Sequence, residues 1–419
     1  MNIDTIMILA GGKGSRSLDP SKPKICQSIS ASKDIASFLL DQLAEFQDSK
    51  VIWIVSHLAD DVLGRIYPLS TNMDVVFDDG NGTASALRQA KSKIQGDTVM
   101  ILLGDCIMGL PLRHVADNLD ATSSTYFFGR ETDHPEDSDA LVLDYLGEVS
   151  SFQPKGSASK AETGLFYGLS GITITSREVL EQPQEAEDFQ LDVYRNSLKL
   201  HKPISLVKNS WYVRDTGTAS RIHRVQKDFA SGDFQRRAKR TRSAIFLDRD
   251  GTLVPNIGDS RKSVLPGEVP EIVIQEIKHA NQRGIPIVLV TNQPGIAKGL
   301  LSYRGLLNSM IELRVVLGEA FFDDFYFCPH HPEKGWPGEV KELKIECTCR
   351  KPKPGMLLEA ARHHDLDLSR SVFIGDSPVD MLAALSVGAQ FKYTNWSEDG
   401  EMLASAIRTS IGGIASDID

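Results

Sequence analysis

Several features that would place the chain in other classes of protein are absent or scarce. Its 419 residues contain no run approaching the roughly 18 apolar residues of a membrane-spanning helix. The first residues lack the basic region of a secretory signal, and their apolar stretch ends at Gly11. Five cysteines do not suggest a disulfide framework. We therefore expect a cytoplasmic protein with no membrane partner.

Positive charge is also scarce. The sequence has 46 basic and 56 acidic side chains, a formal net charge of −10. Because nucleic-acid-binding domains usually present a basic surface, this balance argues against a nucleic-acid partner. The apolar fraction of 41% and the charged fraction of 24% are ordinary for a globular protein, and the length predicts two or three domains. Nothing in the sequence predicts an oligomeric state.

Short β-rich apolar runs alternate with helical patterns, which predicts α/β domains with parallel sheets. A first series begins at residue 6 and a second at Ala244. Predicted strands of the two series include Ile6–Ala10, Val51–Val55, Val75–Phe77, Val99–Leu103, Ile285–Val290, Asp323–Phe327, Ser371–Ile374 and Ala389–Tyr393.

Between the two series lies a basic stretch. Five of the nine residues at 235–243 are lysine or arginine. The stretch is either a solvated linker or helix face, or a patch that attracts a phosphorylated substrate. We predict one domain over residues 1–230, a basic linker over 231–243 and a second domain over 244–419.

The first predicted strand leads directly into a glycine-rich turn. Glycines allow the backbone to approach a phosphate closely, and successive N–H groups can point at its oxygens. Arg16 and Lys24 add the positive charge that a triphosphate requires. The spacing is not that of a Walker loop. The glycines of this candidate phosphate site are Gly11, Gly12 and Gly14.

The turn, Leu-Ala-Gly-Gly-x-Gly-x-Arg followed by Pro-Lys, resembles the N-terminal signature of the sugar-1-phosphate nucleotidyltransferases. Later segments similar to that family's follow in the same order. The resemblance implies a Rossmann-like domain in which Gly82 and Thr83 contact the base and ribose and Lys155 contacts the sugar phosphate. It also implies Mg²⁺ ligands at Asp105 and Asp215.

Charge neutralisation is the physical requirement of this reaction. An anionic sugar phosphate must approach an anionic α-phosphate, held in line, so repulsion between them must be offset. Mg²⁺ held by Asp105 and Asp215 would do so on the phosphates. Lys24 would stabilise charge that develops at the α-phosphorus.

In the second domain, the predicted strand at residues 244–247 leads into Asp248 and Asp250. Side chains two positions apart at a strand end can project to the same side. An ionised aspartate can attack phosphorus without an added base, and its neighbour can protonate the leaving oxygen and then activate water. Later segments add further polar groups suited to a phosphoryl group or Mg²⁺, namely Thr291, Asn292, Arg350, Lys351, Asp376 and Asp380.

These segments resemble the haloacid dehalogenase-like phosphatases, another Rossmann-like α/β fold. The resemblance implies that Asp248 is the nucleophile and Asp250 the general acid and base. Thr291 and Lys351 would hold the transferring group, with Asn292 and Arg350 as further substrate contacts. Mg²⁺ would bind Asp248, Asp376 and the backbone carbonyl of Asp250, with Asp380 supporting the site. Only 43 positions separate Asp248 from Thr291, so we expect a minimal cap and an open site.

Cysteine and histidine cluster shortly before Arg350. Three thiolates and one imidazole would form a closed tetrahedral zinc site with a structural role. The candidate ligands are Cys328, His330, Cys347 and Cys349. His331 could replace His330, although the family resemblance favours His330, and unliganded thiols are the simpler alternative. His363 and His364 are expected on a helix surface.

The zinc loop narrows the resemblance to heptose 1,7-bisphosphate phosphatases and histidinol-phosphate phosphatases, and its length and sequence are closer to the former. Removing the 7-phosphate leaves a heptose 1-phosphate, the type of substrate that a sugar-1-phosphate nucleotidyltransferase consumes. We therefore expect a bifunctional enzyme that makes nucleotide-activated heptose, with GTP as donor by analogy with similar pathways. Ile25 and Pro154 depart from the family pattern. They leave open a non-catalytic, sugar-nucleotide-sensing first domain beside a heptose or histidinol phosphate phosphatase.

Overall fold

The computed structural model divides the chain into two compact units. Unit 1 comprises residues 1–160 and 166–239, and unit 2 comprises residues 161–165 and 240–419. No helix among the described residues is long and apolar enough to cross a membrane. The structure describes residues 1–12, 18–19, 21–67, 73–119, 125–131, 138–144, 148–157, 165–183, 185–186, 188–208, 210–238 and 241–416.

A mixed sheet forms the centre of unit 1. The strands of unit 1 are β1 (Thr5–Leu9), β2 (Lys50–Val55), β3 (Met73–Phe77), β4 (Thr98–Leu103), β5 (Cys106–Met108), β6 (Thr125–Glu131), β7 (Ala140–Leu143), β8 (Val149–Gln153), β9 (Leu165–Ser176), β10 (Ile204–Lys208) and β11 (Val213–Asp215). β5 and β11 form a separate pair, and the other strands belong to the mixed sheet. The main path runs β10-β6-β9-β4-β1-β2-β3, and β1 is parallel to both β2 and β4.

Helices surround this sheet. They are α1 (Ile35–Leu43), α2 (Ala59–Ile66), α3 (Thr83–Ala90), α4 (Leu112–Asp117), α5 (Arg177–Glu181), α6 (Phe189–Lys199), α7 (Ala219–Ala230) and α8 (Asp233–Arg237). Successive side chains of a strand point to opposite faces, so Ile6 and Ile8 enter one apolar cluster while Met7 enters another. Burial on both faces explains the continuous apolar runs of the central strands.

Part of the stretch predicted as a basic linker is helical, in line with the helix-face alternative. Asp233–Arg237 form a short helix of unit 1. Phe234 stacks on Phe229 with ring centroids 4.3 Å apart and meets Phe38 edge to face at 5.4 Å. Phe234 therefore packs this segment against aromatic side chains of α1 and α7.

Unit 2 has a five-stranded parallel sheet in the order β14-β13-β12-β15-β16, formed by β12 (Ile245–Leu247), β13 (Ile287–Asn292), β14 (Asp324–Cys328), β15 (Val372–Gly375) and β16 (Gln390–Tyr393). Its helices are α9 (Glu271–Gln282), α10 (Pro294–Ala297), α11 (Tyr303–Leu317), α12 (Gly355–His364), α13 (Pro378–Ser386) and α14 (Glu401–Ser416). Between Asp248 and Thr291 lie only a loop, α9 and most of β13, which confirms the minimal cap. Because β13, β12 and β15 are neighbours, their carboxyl ends meet at one edge.

Candidate functional site

The glycine turn of unit 1 borders a cavity of about 290 Å³ at the carboxyl ends of β1 and β4. The Ala10 N–H donates to the Ile54 carbonyl at 2.8 Å, which ties the turn to β2. The Gly104 N–H donates to the Leu9 carbonyl, and a Cβ on Gly104 would lie only 2.8 Å from that oxygen. Predicted residues that line the cavity are Gly11, Gly12, Lys24, Gly82, Thr83 and Asp105, whereas Gly14 and Arg16 lie outside the described residues.

Opposite charges meet in the lining of this cavity. The Lys24 ammonium contacts the Asp105 carboxylate. Thr216 holds the backbone of Asp105, since its N–H and its hydroxyl both donate to the Asp105 carbonyl at 2.7 Å. Asp215 ends β11, which pairs with β5 just after Asp105, and its carboxylate accepts a hydrogen bond from Arg221 at 2.6 Å. The two carboxylates predicted to hold Mg²⁺ are thus presented by adjoining segments.

Two further predicted contacts of unit 1 have different surroundings. The Thr83 hydroxyl donates to Asp188 at 3.2 Å and accepts from the Phe189 N–H at 3.1 Å, which links α3 to the start of α6. Lys155 is exposed in a turn after β8 and lies outside the cavity lining, with its N–H donated to Asp139 at 2.9 Å. The structure therefore brings Thr83, but not Lys155, to the cavity.

In unit 2, the carboxyl ends of three adjacent strands carry the predicted phosphatase groups. Asp248 follows β12, Thr291 lies near the end of β13, and Asp376 follows β15. They border a second cavity, of about 240 Å³. Other predicted residues in its lining are Asp250, Asn292, Lys351 and Asp380.

A buried lysine lies at the centre of this second site. Lys351 Nζ contacts Asp248 Oδ1 at 2.5 Å, Asp380 Oδ1 at 2.6 Å and the Val290 carbonyl at 2.8 Å. Burial raises the pKa of the Asp248 carboxyl above its ordinary value, and the charge of Lys351 opposes that increase. Burial acts against the charged form of Lys351 too, yet the two carboxylates hold its pKa above the ordinary value. The ammonium and the carboxylates thus stabilise one another's charged forms.

Asp250 is held by three side chains that the sequence analysis did not single out. Its Oδ2 accepts hydrogen bonds from Gln293 at 2.7 Å and Arg249 at 2.9 Å. Arg261 Nε lies 3.3 Å from the other oxygen, Oδ1. The side chains of Arg249 and Arg261 are each only 1% exposed. Arg249 sits between the two predicted aspartates and could have been noticed, whereas Arg261 lies in a loop without periodic pattern.

The Asn292 side chain contacts protein backbone. Its amide nitrogen donates to the Lys351 carbonyl at 3.1 Å, and its amide oxygen accepts from the Lys351 N–H at 3.0 Å. Asn292 also lines the second cavity, and its predicted contact with the substrate stays a prediction beside this backbone role. The pair of hydrogen bonds fixes the backbone that carries Lys351.

The side chains of Cys328, His330, Cys347 and Cys349 form one cluster in which the ligand atoms lie within 4.8 Å of one another. Cys347 Sγ lies 3.6 Å from Cys328 Sγ and 3.3 Å from Cys349 Sγ, and His330 Nδ1 lies 3.3 Å from Cys349 Sγ. Tetrahedral zinc with bonds of about 2.3 Å would separate sulfurs by roughly 3.8 Å, so the donor set fits that ion. His331 instead packs edge to face on Trp336 at 5.0 Å.

Three carboxylates form a second candidate metal group, Asp248, Asp376 and Asp380. Asp380 already accepts hydrogen bonds from the N–H of Ser377 at 3.1 Å and from its hydroxyl at 2.5 Å, and it pairs with Lys351. Burial and the neighbouring Asp380 raise the pKa of Asp376, so a cation at this group would offset unfavourable charge. Carboxylate oxygens are the ligands that Mg²⁺ prefers.

Comparison with known families assigns each half of the chain to a family. A family model described as nucleotidyl transferase matches residues 5–232, and one described as HAD-hydrolase-like matches residues 348–393. Unit 1 is therefore a nucleotidyltransferase and unit 2 a HAD-like phosphatase.

Individual relatives refine the second assignment. D-glycero-beta-D-manno-heptose-1,7-bisphosphate 7-phosphatase of Vibrio cholerae is 36% identical over 175 residues, which cover 40% of this chain and 91% of the relative. The enzyme of the same name from Yersinia pestis is 39% identical and covers 34% of this chain and 74% of its own length. The one from Escherichia coli K12 is 36% identical and covers 36% of this chain and 76% of its own length. The chain thus belongs to the nucleotidyl transferase family through its N-terminal half and to the family of these 7-phosphatases through its C-terminal part.

Solved structures also match each half. HddC from Yersinia pseudotuberculosis, complexed with GMP-PN, is 23% identical, covers 54% of this chain and all of its own, and has a TM-score of 0.44. A putative HAD-like phosphatase from Mesorhizobium loti is 32% identical, covers 41% of this chain and 88% of its own, and has a TM-score of 0.34.

Proposed function

We propose that the enzyme removes the C7 phosphate of D-glycero-D-manno-heptose 1,7-bisphosphate and transfers GMP from GTP to the heptose 1-phosphate that results. The observation that carries this proposal is the presence in one chain of two distinct sites. One is the buried Asp248–Lys351 centre, and the other is the nucleotide cavity beside Lys24. The product of the first reaction is the class of substrate that the second consumes.

In unit 2, Asp248 attacks the C7 phosphorus and Asp250 gives a proton to the leaving sugar oxygen. Asp250 then takes a proton from water, which attacks the phospho-aspartate and releases orthophosphate. Lys351 and Thr291 hold the phosphoryl oxygens, and Arg350, which is partly exposed, contacts the substrate. Support comes from the short contacts of Lys351, from the hydrogen bonds that Gln293 and Arg249 donate to Asp250, and from the nearby Arg261 cation.

In unit 1, the glycine turn holds the triphosphate and Lys24 stabilises charge on the α-phosphate while the sugar phosphate attacks and pyrophosphate leaves. Gly82 and Thr83 would lie against the base and ribose. We retain Gly14, Arg16 and Lys155 as proposed contacts of phosphate groups. A GTP substrate and zinc ligands that are reduced cysteine thiolates are both consistent with a cytoplasmic enzyme.

Three metal ions, two Mg²⁺ and one zinc, complete the proposal. Asp248, Asp376 and the Asp250 carbonyl would hold one Mg²⁺, and Asp105 with Asp215 would hold another. Mg²⁺ neutralises phosphate charge when it is bound. The Cys328–His330–Cys347–Cys349 cluster would hold zinc, which would fix the loop that precedes Arg350 and Lys351.

Two assays on purified enzyme test the proposal. Orthophosphate release is compared for heptose 1,7-bisphosphate and histidinol phosphate, and we expect the heptose compound to be preferred. Pyrophosphate release is then measured with heptose 1-phosphate, Mg²⁺ and each of GTP, ATP, UTP, CTP and dTTP. Release with GTP is expected. No release with any nucleotide would reject transfer and favour a sensing role for unit 1, and preference for histidinol phosphate would reject the heptose substrate.

A further inference from the structure

The buried side chain of Gln293 joins two of the groups proposed for phosphoryl transfer. Gln293 directly follows β13 and lines the second cavity. Its Nε2 lies 2.7 Å from Asp250 Oδ2 and 2.9 Å from Thr291 Oγ1. A side-chain amide nitrogen carries two hydrogens, so it can donate to both oxygens at once. Because an ionised carboxylate only accepts, the nitrogen of this amide, and not its oxygen, faces Asp250.

This contact determines how the Thr291 hydroxyl is used. An amide nitrogen has no acceptor capacity, so the hydroxyl oxygen accepts from Gln293 and keeps its own hydrogen. Within the described part of the chain, the Thr291 hydroxyl makes no other hydrogen bond. Thr291 also lines the cavity. Its hydrogen is therefore left for an acceptor in the cavity, and the phosphoryl group of a substrate brings such an oxygen.

The same amide limits the movement of Asp250. The arginines that contact Asp250 come from the segment between β12 and α9, whereas Gln293 belongs to the end of the neighbouring strand β13. The Gln293 N–H donates to the Cys328 carbonyl at 2.8 Å, so its backbone is fixed against β14. A general acid must lie within hydrogen-bond reach of the atom that it protonates. Gln293 therefore sets the position of the Asp250 carboxylate relative to the strand that carries Thr291.

We propose that Gln293 is a positioning residue of the phosphatase, which directs the Thr291 hydrogen towards a phosphoryl oxygen and holds the Asp250 carboxylate beside the leaving sugar oxygen. This inference rests on the roles proposed for Asp250 and Thr291 and adds the residue that aligns them. Displacement of a reacting group by about 1 Å can lower a rate by about 100-fold. Loss of the Gln293 amide should therefore lower kcat while the substrate still binds.

The experiment compares Gln293→Met with Gln275→Met in the full-length enzyme. Methionine has a similar length and removes both donors. Gln275 is the matched control, because its amide also donates to a carboxylate, that of Glu271, but at the exposed surface of α9. For both variants, kcat and KM are measured for orthophosphate release from heptose 1,7-bisphosphate, and calorimetric unfolding shows whether the protein is folded. If Gln293→Met does not fold, Gln293→Glu takes its place, since it keeps the shape and removes the amide donors.

Two further measurements separate positioning from a structural role. A double-mutant cycle with Thr291→Val, which removes the hydroxyl, tests whether Gln293 acts through Thr291. Where two side chains act through one contact, the double variant loses less than the product of the single losses, and we expect a shortfall of about fivefold or more. Binding of orthovanadate, which imitates the transferring phosphoryl group, is measured by calorimetry in the absence of substrate.

Gln293→Met should lower kcat by about 10- to 100-fold with a nearly unchanged KM, and should weaken vanadate binding about tenfold. Gln275→Met should behave as the wild type. An unchanged kcat, or a raised KM at unchanged kcat as from a direct substrate contact, would overturn the proposal. Single losses that multiply independently in the cycle would overturn it too. If the wild type releases no orthophosphate from the heptose compound, the proposed function fails, and the vanadate measurements still decide whether Gln293 prepares the site for a phosphoryl group.

Discussion

Replacing Lys351 by methionine would remove the positive charge from the centre of the phosphatase site. The Lys351 side chain is 3% exposed and its ammonium touches two carboxylates, whose side chains are 8% and 1% exposed at Asp248 and Asp380. Removing one partner of a buried ion pair typically costs about 3–5 kcal/mol. We expect a cost near the lower limit, about 3 kcal/mol, because Asp380 keeps its hydrogen bonds to Ser377 and Asp248 can take up a proton.

Phosphatase activity should fall by more than the loss of folding stability explains, because the same ammonium would hold the transferring phosphoryl group. Loss of one such group lowers kcat by about 100- to 1,000-fold in enzymes that stabilise developing charge. Orthophosphate release and calorimetric unfolding of unit 2 measure the two effects. Lys353→Met is the matched control, because Lys353 lies two residues away and pairs with Glu346 at the surface. Wild-type turnover and unfolding in Lys351→Met, or equal losses in the control, would refute the reasoning.

Three further changes test other parts of the second site. Cys347→Ser should abolish zinc binding, measured by metal analysis, and should lower phosphatase activity far more than global stability. Isolated zinc peptides gain about 10–16 kcal/mol from the metal, but here the core of unit 2 remains without it. A fully active wild type that contains no zinc would reject the site. Asn292→Ala should remove two hydrogen bonds to the Lys351 backbone, each worth about 1 kcal/mol. It should therefore lower the kcat of the phosphatase about tenfold, and an unchanged kcat would contradict this role. Arg261→Met should destabilise unit 2 by about 3 kcal/mol, because Asp250 and Glu268 lose a buried cation. Calorimetric unfolding measures this loss, and an unchanged unfolding transition would contradict it.

The sequence was sufficient to predict features that depend on local pattern. Apolar runs located the central strands, and Asp248 and Asp376 lie at strand ends as predicted. Parallel strands bring such ends together, so the gathering of Asp248, Thr291 and Asp376 around one cavity follows from the sheet order. Spacing alone left His330 and His331 as alternatives, and the structure places only His330 in the cysteine cluster.

Contacts between distant loops could not be predicted, because no periodicity marks them. Arg261 reaches Asp250 from a loop, and the Asn292 side chain binds backbone 59 residues away. The expectation of a surface position for His364 is wrong, since this side chain is buried and lies 3.1 Å from Asp324. Each of these polar side chains is placed by partners far along the chain, which sequence spacing does not encode.

Independence of the two sites is the central claim, and a complementation assay tests it most directly. Asp248→Asn should lose phosphatase activity yet transfer GMP to supplied heptose 1-phosphate, and Asp105→Asn should show the reverse. From heptose 1,7-bisphosphate and GTP, neither variant alone should form nucleotide-activated heptose, whereas a mixture of the two should form it. Loss of both activities in either folded variant, or an inactive mixture, would contradict two independent sites in one chain.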